Sequence, residues 1–253
     1  MLFNVNTLRG YHLHGLDGTI GHVKELYFDD HHWTIRYLVA DTGNWLTGRT
    51  VLISPYAMST VNRDERFISL ALTKKEIENS PSLDSDMPVS RQFEESYYGY
   101  YGLPIYWSGT LMWGPYPGIV RDPKGRVQAF PPPSRTWDPN LRSTHDVTGH
   151  HAHAEDGDIG HVSDFLVDDE TWALRYLVID TGEWWPGRKV LVSSKWITRV
   201  QWSESRVFIG LGRNAIKAAP EYTKATQVTR EYEAALHRHY TRPGYWDADL
   251  LVQ

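Results

Sequence analysis

Short apolar runs broken by polar turn residues follow one another along residues 11–72, which predicts short strands rather than helices. Trp33 to Asp41 (WTIRYLVAD) is the clearest strand: Ile35, Tyr37 and Val39 fall on one face, and Arg36, Leu38 and Ala40 on the other. Before it, Tyr11–His14 reads as a short strand closed by the turn Leu16-Asp17-Gly18. Ile20 to Phe28 follows and ends at the polar turn Asp29-Asp30-His31-His32. After it, Thr42-Gly43-Asn44 turns the chain into Thr50–Ile53. Met58–Asn62 and Phe67–Leu72 then pair around the loop Arg63-Asp64-Glu65-Arg66. The period changes at Thr73, where Thr73 and Glu76 have the spacing of a capping box and Pro81 stops the helix. A second short helix is expected near Ser90, followed by the aromatic run Tyr97 to Trp107. Short strands joined by tight turns, then helices, predict a mainly β domain built as a small barrel or sandwich.

The pattern occurs twice. Asp17 to Ser54 recurs as Asp156 to Ser193 without a gap, with 22 of 38 positions identical at a constant offset of 139 residues. The same offset matches Leu2 with Leu141, Arg91 with Arg230, Glu94 with Glu233, and Tyr106-Trp107 with Tyr245-Trp246. The duplicated unit therefore includes the helices and the aromatic tail. Three segments are expected: repeat one at 1–107, a Pro/Gly-rich linker at 108–140 centred on Pro131-Pro132-Pro133, and repeat two at 141–253.

The duplicated residues resemble the PRC-barrel family, which is named for the photosynthetic reaction-centre H subunit and includes a domain of the ribosome maturation factor RimM. The likeness is carried by Asp17-Gly18, Ile20-Gly21-His22-Val23, Asp29-Asp30, Arg36-Tyr37-Leu38-Val39, Gly48-Arg49 and Val51-Leu52-Ile53-Ser54. It recurs in the second copy and covers about half the chain. It implies two tandem small PRC-type β-barrels, each with short C-terminal helices and an aromatic tail. It also implies a non-enzymatic assembly or interaction role, since members of the family act mostly as binding modules. A ribosome or RNA-processing accessory role follows from the RimM likeness alone.

Composition narrows the partners. A net charge of −5 disfavours nucleic acid, which requires a basic surface to release counterions. No run of about 18 apolar residues predicts a membrane span, and the first residues lack the basic and apolar segments of a secretory signal. A cytoplasmic protein with a protein partner, or self-association, is expected. The absence of cysteine removes thiolate chemistry.

Three groups of residues carry candidate chemistry. His12, His14 and His22, with their copies His151, His153 and His161, place H-x-H on one strand face beside a third imidazole. A divalent metal is a candidate there, which gives a metal-binding or metal-dependent hydrolytic alternative; no cofactor is otherwise expected. The triplets Asp41-Thr42-Gly43 and Asp180-Thr181-Gly182 are read as strand-ending turns, and no catalytic residue is assigned. The aromatic residues Trp45, Trp184, Trp185, Tyr98, Tyr101, Tyr106, Trp107, Tyr240, Tyr245 and Trp246 form the candidate interaction surface. Arg36 and Arg175, inside apolar strands, require carboxylate partners: Asp29 or Asp41 for the first, Asp168 or Asp180 for the second.

Overall fold

A computed structural model describes residues 1–46, 49–81, 89, 91–119, 141–182 and 188–249. Most of the expected linker, including the triple proline, lies outside the described residues, as do Trp184 and Trp185.

The protein is mainly β. The first repeat runs β1 (Leu2–Asn4), α1 (Val5–Leu8), β2 (His12–Gly15), β3 (Gly18–Asp29), β4 (Thr34–Asp41), β5 (Val51–Ile53), β6 (Met58–Asn62), β7 (Phe67–Leu70), α2 (Lys74–Glu78) and α3 (Arg91–Tyr101). The second runs β8 (Leu141–Ser143), α4 (Thr144–Val147), β9 (His151–Ala154), β10 (Gly157–Asp168), β11 (Leu174–Asp180), β12 (Lys189–Ser193), β13 (Ile197–Gln201), β14 (Arg206–Ile209), α5 (Arg213–Lys217), α6 (Arg230–His239) and α7 (Tyr245–Asp249). The expected capping box is present, with Thr73 Oγ1 accepting from the Glu76 N–H and Glu76 accepting from the Thr73 N–H. The helix expected near Ser90 extends into the aromatic run as far as Tyr101.

Each repeat builds one seven-stranded sheet, in the order β5-β4-β3-β2-β7-β6 and, in the second repeat, β12-β11-β10-β9-β14-β13. The path begins and ends on strands that are consecutive in sequence. In the first sheet the 3₁₀ turn Pro55–Ala57 links β5 to β6, so the sheet curls into a half-barrel. Its interior is filled by Leu13, Ile20, Val23, Leu26, Ile53, Ile68 and Ile77, all essentially inaccessible. Alternation holds in β2, where Leu13 is buried between exposed His12 and His14. It fails in β4, which is buried on both faces from Thr34 to Ala40.

The seventh strand of each sheet comes from the other repeat. β1 pairs antiparallel with the end of β10 (Leu2 opposite Asp168, Asn4 opposite Leu166), and β8 pairs with the end of β3 (Tyr27 opposite Ser143, Asp29 opposite Leu141). The side chains repeat the exchange. Asn4 Nδ2 donates to Asp164 at 2.9 Å, and at the matching position Ser143 Oγ donates to Glu25 at 2.7 Å. The two compact units are accordingly Met1–Asn6 with His145–Asp169 and Leu174–Gln253, and Thr7–Thr144 with Glu170–Ala173. They follow the sequence repeats except at these exchanged segments.

Candidate functional site

The duplicated histidines lie on β2, β3, β9 and β10. His12 and His14 point to the same side of β2, with ring centroids 6.4 Å apart, and His12 stands opposite His22. A register shift after Leu13 sets His14 opposite Thr19, and the His14 ring stacks on Phe67 at 4.9 Å. His22 Nε2 is 3.5 Å from Asp41 Oδ2. In the second repeat His151 stands opposite His161, while His153 Nδ1 is 2.7 Å from Asp158. That hydrogen bond holds the exposed Asp158 carboxyl below its ordinary range. Among the described residues no group of three or more His, Asp or Glu is arranged to hold a metal ion.

The D-T-G triplets form turns. Asp41 Oδ1 accepts from the Gly43 N–H at 2.9 Å, and Asp180 Oδ1 from the Gly182 N–H at 3.0 Å. The turn also explains the glycine on the neighbouring strand. Gly160 has φ +132°, and a Cβ there would stand 2.0 Å from the Asp180 carbonyl oxygen; Gly21 meets Asp41 in the same way.

The aromatic tails differ most from the sequence expectation. Tyr98, Tyr106 and Tyr240 are buried, and Tyr101, Trp107, Tyr245 and Trp246 are half-buried. Each tail folds over the sheet of its own repeat. Tyr97 and Tyr98 meet Tyr37 edge-on at 5.5 and 6.4 Å, and Trp196 packs against Tyr240 at 4.8 Å. The reason is energetic: burying an aromatic side chain removes its ring from water, a gain of about 2–3 kcal/mol each. Of the proposed surface residues, Trp45 is exposed (36%), with its indole N–H donating to the Ile20 carbonyl.

Beneath the first tail lies a polar knot. Arg36, wholly buried, donates through Nε and Nη2 to Asp29 Oδ2, and its guanidinium lies 3.9 Å from the Tyr106 ring and 4.7 Å from that of Trp113. Burial pushes the Asp29 carboxyl up. The hydrogen bond from His32 and the charge of Arg36 outweigh burial and hold it well below the usual carboxylate range. Glu94, also wholly buried, accepts from the hydroxyls of Tyr37 and Tyr106, and Arg91 reaches its other oxygen at 2.9 Å. The second repeat builds the same knot from Asp168, Arg175, Glu233, Tyr176, Tyr245 and Arg230. Burial and then the nearby glutamate push both Tyr37 and Tyr176 up. Asp41 and Asp180 do not pair with the arginines. On the first knot opens a cleft of about 220 Å³ lined by Asp29, His31, His32, Arg91, Tyr106, Trp107 and Gly109.

Two further features escape strand periodicity. Glu94 and Glu233 join the knots from a helix 57 residues beyond the tyrosines they bind, and the only signal for them is their recurrence at the duplication offset. The other is a surface around α2. Leu16 is 71% and Tyr100 43% exposed; Leu16 is bonded through its N–H to the Leu72 carbonyl, and the Tyr100 hydroxyl to the Glu76 carbonyl. The Trp45 ring lies 5.7 Å from Lys74 Nζ, so among the described residues three of the four exposed large apolar residues, all but Met1, have a contact within residues 72–76. The second repeat has Glu155 and His239 in place of Leu16 and Tyr100.

Among the described residues no helix is long and apolar enough to cross a membrane. Compared with protein-family profiles and with curated proteins, the chain matches none.

Proposed function

We infer that this chain is a tandem PRC-barrel protein that acts as a non-enzymatic assembly module, binding a protein partner or a second copy of itself. The observation that carries this reading is the apolar surface around α2 of the first repeat. Leu16, Trp45 and Tyr100 gather on one short segment, and exposed large apolar side chains grouped in this way are a feature of docking surfaces. The duplicated polar residues support it from the other side. Asp29 with Arg36, and Glu94 with Tyr37 and Tyr106, direct their polar atoms at one another, so the duplicated signature works to hold a helix and a tail onto a sheet.

The test exchanges the patch for its second-repeat equivalents. Light-scattering mass over a concentration series, together with mass spectrometry of co-purifying proteins, is expected to show dimer or a stoichiometric partner for the natural chain. Leu16→Glu with Tyr100→His is expected to show monomer alone. A natural chain that is monomeric and partner-free throughout, or complexes that survive the double substitution, overturns the reading.

A further inference from the structure

The two knots differ at the position of Tyr98. His237 of the second repeat stands where the first has Tyr98, and this changes the proton inventory around it. His237 is buried in α6, with Nδ1 2.7 Å from the Pro243 carbonyl oxygen and Nε2 3.0 Å from the Tyr176 hydroxyl. The same hydroxyl lies 3.0 Å from Glu233 Oε1, which Tyr245 also reaches at 2.9 Å.

A carbonyl oxygen only accepts, so Nδ1 carries a hydrogen, and Nε2 of the neutral ring is then an acceptor. An ionised Glu233 is an acceptor too. Tyr176 thus stands between two acceptors with a single proton to give. Whichever it serves, the other 3.0 Å contact sets lone pair against lone pair, a buried mismatch that destabilises the neutral arrangement. One added proton resolves it: Nε2–H donates to the Tyr176 oxygen, and the Tyr176 hydroxyl donates to Glu233. In the first repeat Tyr37 donates to Glu94 and the neighbour is a tyrosine, so no such choice arises.

We propose that Tyr176, His237 and Glu233 form a proton-operated hydrogen-bond switch, present in the second repeat alone. A proton from solvent binds Nε2 of His237, turns the Tyr176 hydroxyl to Glu233, and completes the network that ties α6 and the tail to β11. The charged and titratable groups facing it are Tyr176 and Arg175 (paired with Asp168) from β11, Arg230 and Glu233 from α6, and Tyr245 and Asp247 from α7. The rings of Trp196 and Trp246 close the site at 4.9 and 5.0 Å. Burial pushes His237 down from its ordinary value and outweighs the Pro243 carbonyl and the charges of Glu233 and Asp247, so the switch works on the acid side of neutrality.

The experiment follows the histidine ring nitrogens and the Glu233 carboxyl carbon by NMR from about pH 7.5 to about pH 4.5. Amide exchange over residues 230–246 is read in the same samples. His237 is expected as the Nδ1–H form at the upper end, becoming doubly protonated as the pH falls. The Glu233 signal should move at the same midpoint, and amide protection should rise several-fold. In Tyr176→Phe the Glu233 response and the gain in protection are expected to vanish. In His237→Tyr, which installs the first repeat's residue, protection should be independent of pH. A ring that stays neutral until the protein unfolds, or a Glu233 response that persists in Tyr176→Phe, overturns the proposal.

Discussion

Two features in each copy bear loads that their residue types explain. Gly160 combines a positive φ with a 2.0 Å approach to the Asp180 carbonyl that a Cβ would block, so Gly160→Ala displaces the D-T-G turn. A loss of about 3 kcal/mol or more is expected in urea unfolding. Gly149→Ala, whose Cβ would meet nothing within 4 Å, serves as the comparison and should cost less. Arg36 and Asp29 form the second load. Asp29→Ala strands a guanidinium with no exposure, at a cost of about 3–5 kcal/mol. Adding Arg36→Met should restore much of that loss, because an apolar side chain needs no counter-charge there. The pH dependence has a definite sign. The folded Asp29 titrates below the unfolded residue, so its stabilisation is complete above the ordinary aspartate value of about 4 and is lost as pH falls below it. Acid melts of the natural chain should show this loss, and Asp29→Asn should flatten it. The need for a partner to Arg36 was legible in sequence, because a cation in an apolar strand has few alternatives. The choice of Asp29 over Asp41 was not, since it depends on the end of β3 lying beside β4.

At the scale of elements, strands and turns were legible because short apolar runs and Asp–Gly chemistry are local. The capping box of α2 was legible for the same reason. The fate of the aromatic tail was not. Tyr97, Tyr98 and Tyr106 carry no local sign of what covers them, and the sheet face that receives them lies about 60 residues earlier in the chain. The exchanged strands were equally hidden, since Leu2–Asn4 and Leu141–Ser143 are too short to carry a pattern. Removing residues 1–6 leaves β10 without its β1 partner at Leu166–Asp168 and deletes Asn4, which serves both Asp164 and Tyr222. Hydrogen exchange should then show β10 and β11 losing protection while β3 and β4 keep theirs. Equal loss in both sheets would contradict the assignment of β1 to the second repeat's sheet.

At the scale of the whole molecule, the exchange means that neither repeat contains a complete sheet of its own. A fragment of residues 1–107 lacks β8, and it also lacks Trp172, whose carbonyl accepts from Ile35 and whose side chain is wholly buried. A fragment of residues 141–253 lacks β1. Each fragment alone is expected to show a poorly dispersed NMR spectrum and a broad thermal transition. Mixing the two should restore much of the native spectrum, since the missing strands return with the partner fragment.

The sequence by itself determined the duplication, the mainly β character, the turns, the capping box and the requirement that Arg36 and Arg175 be paired. Each of these follows from local periodicity or from the cost of an unpaired buried charge. Only the tertiary structure decided which aspartate pairs with each arginine, where the tails lie, and which sheet receives each terminal strand. It also decided that Tyr176 faces two acceptors with one proton. These features depend on residues far apart in the chain, where the free energy of burial, rather than any neighbouring residue, selects the partner.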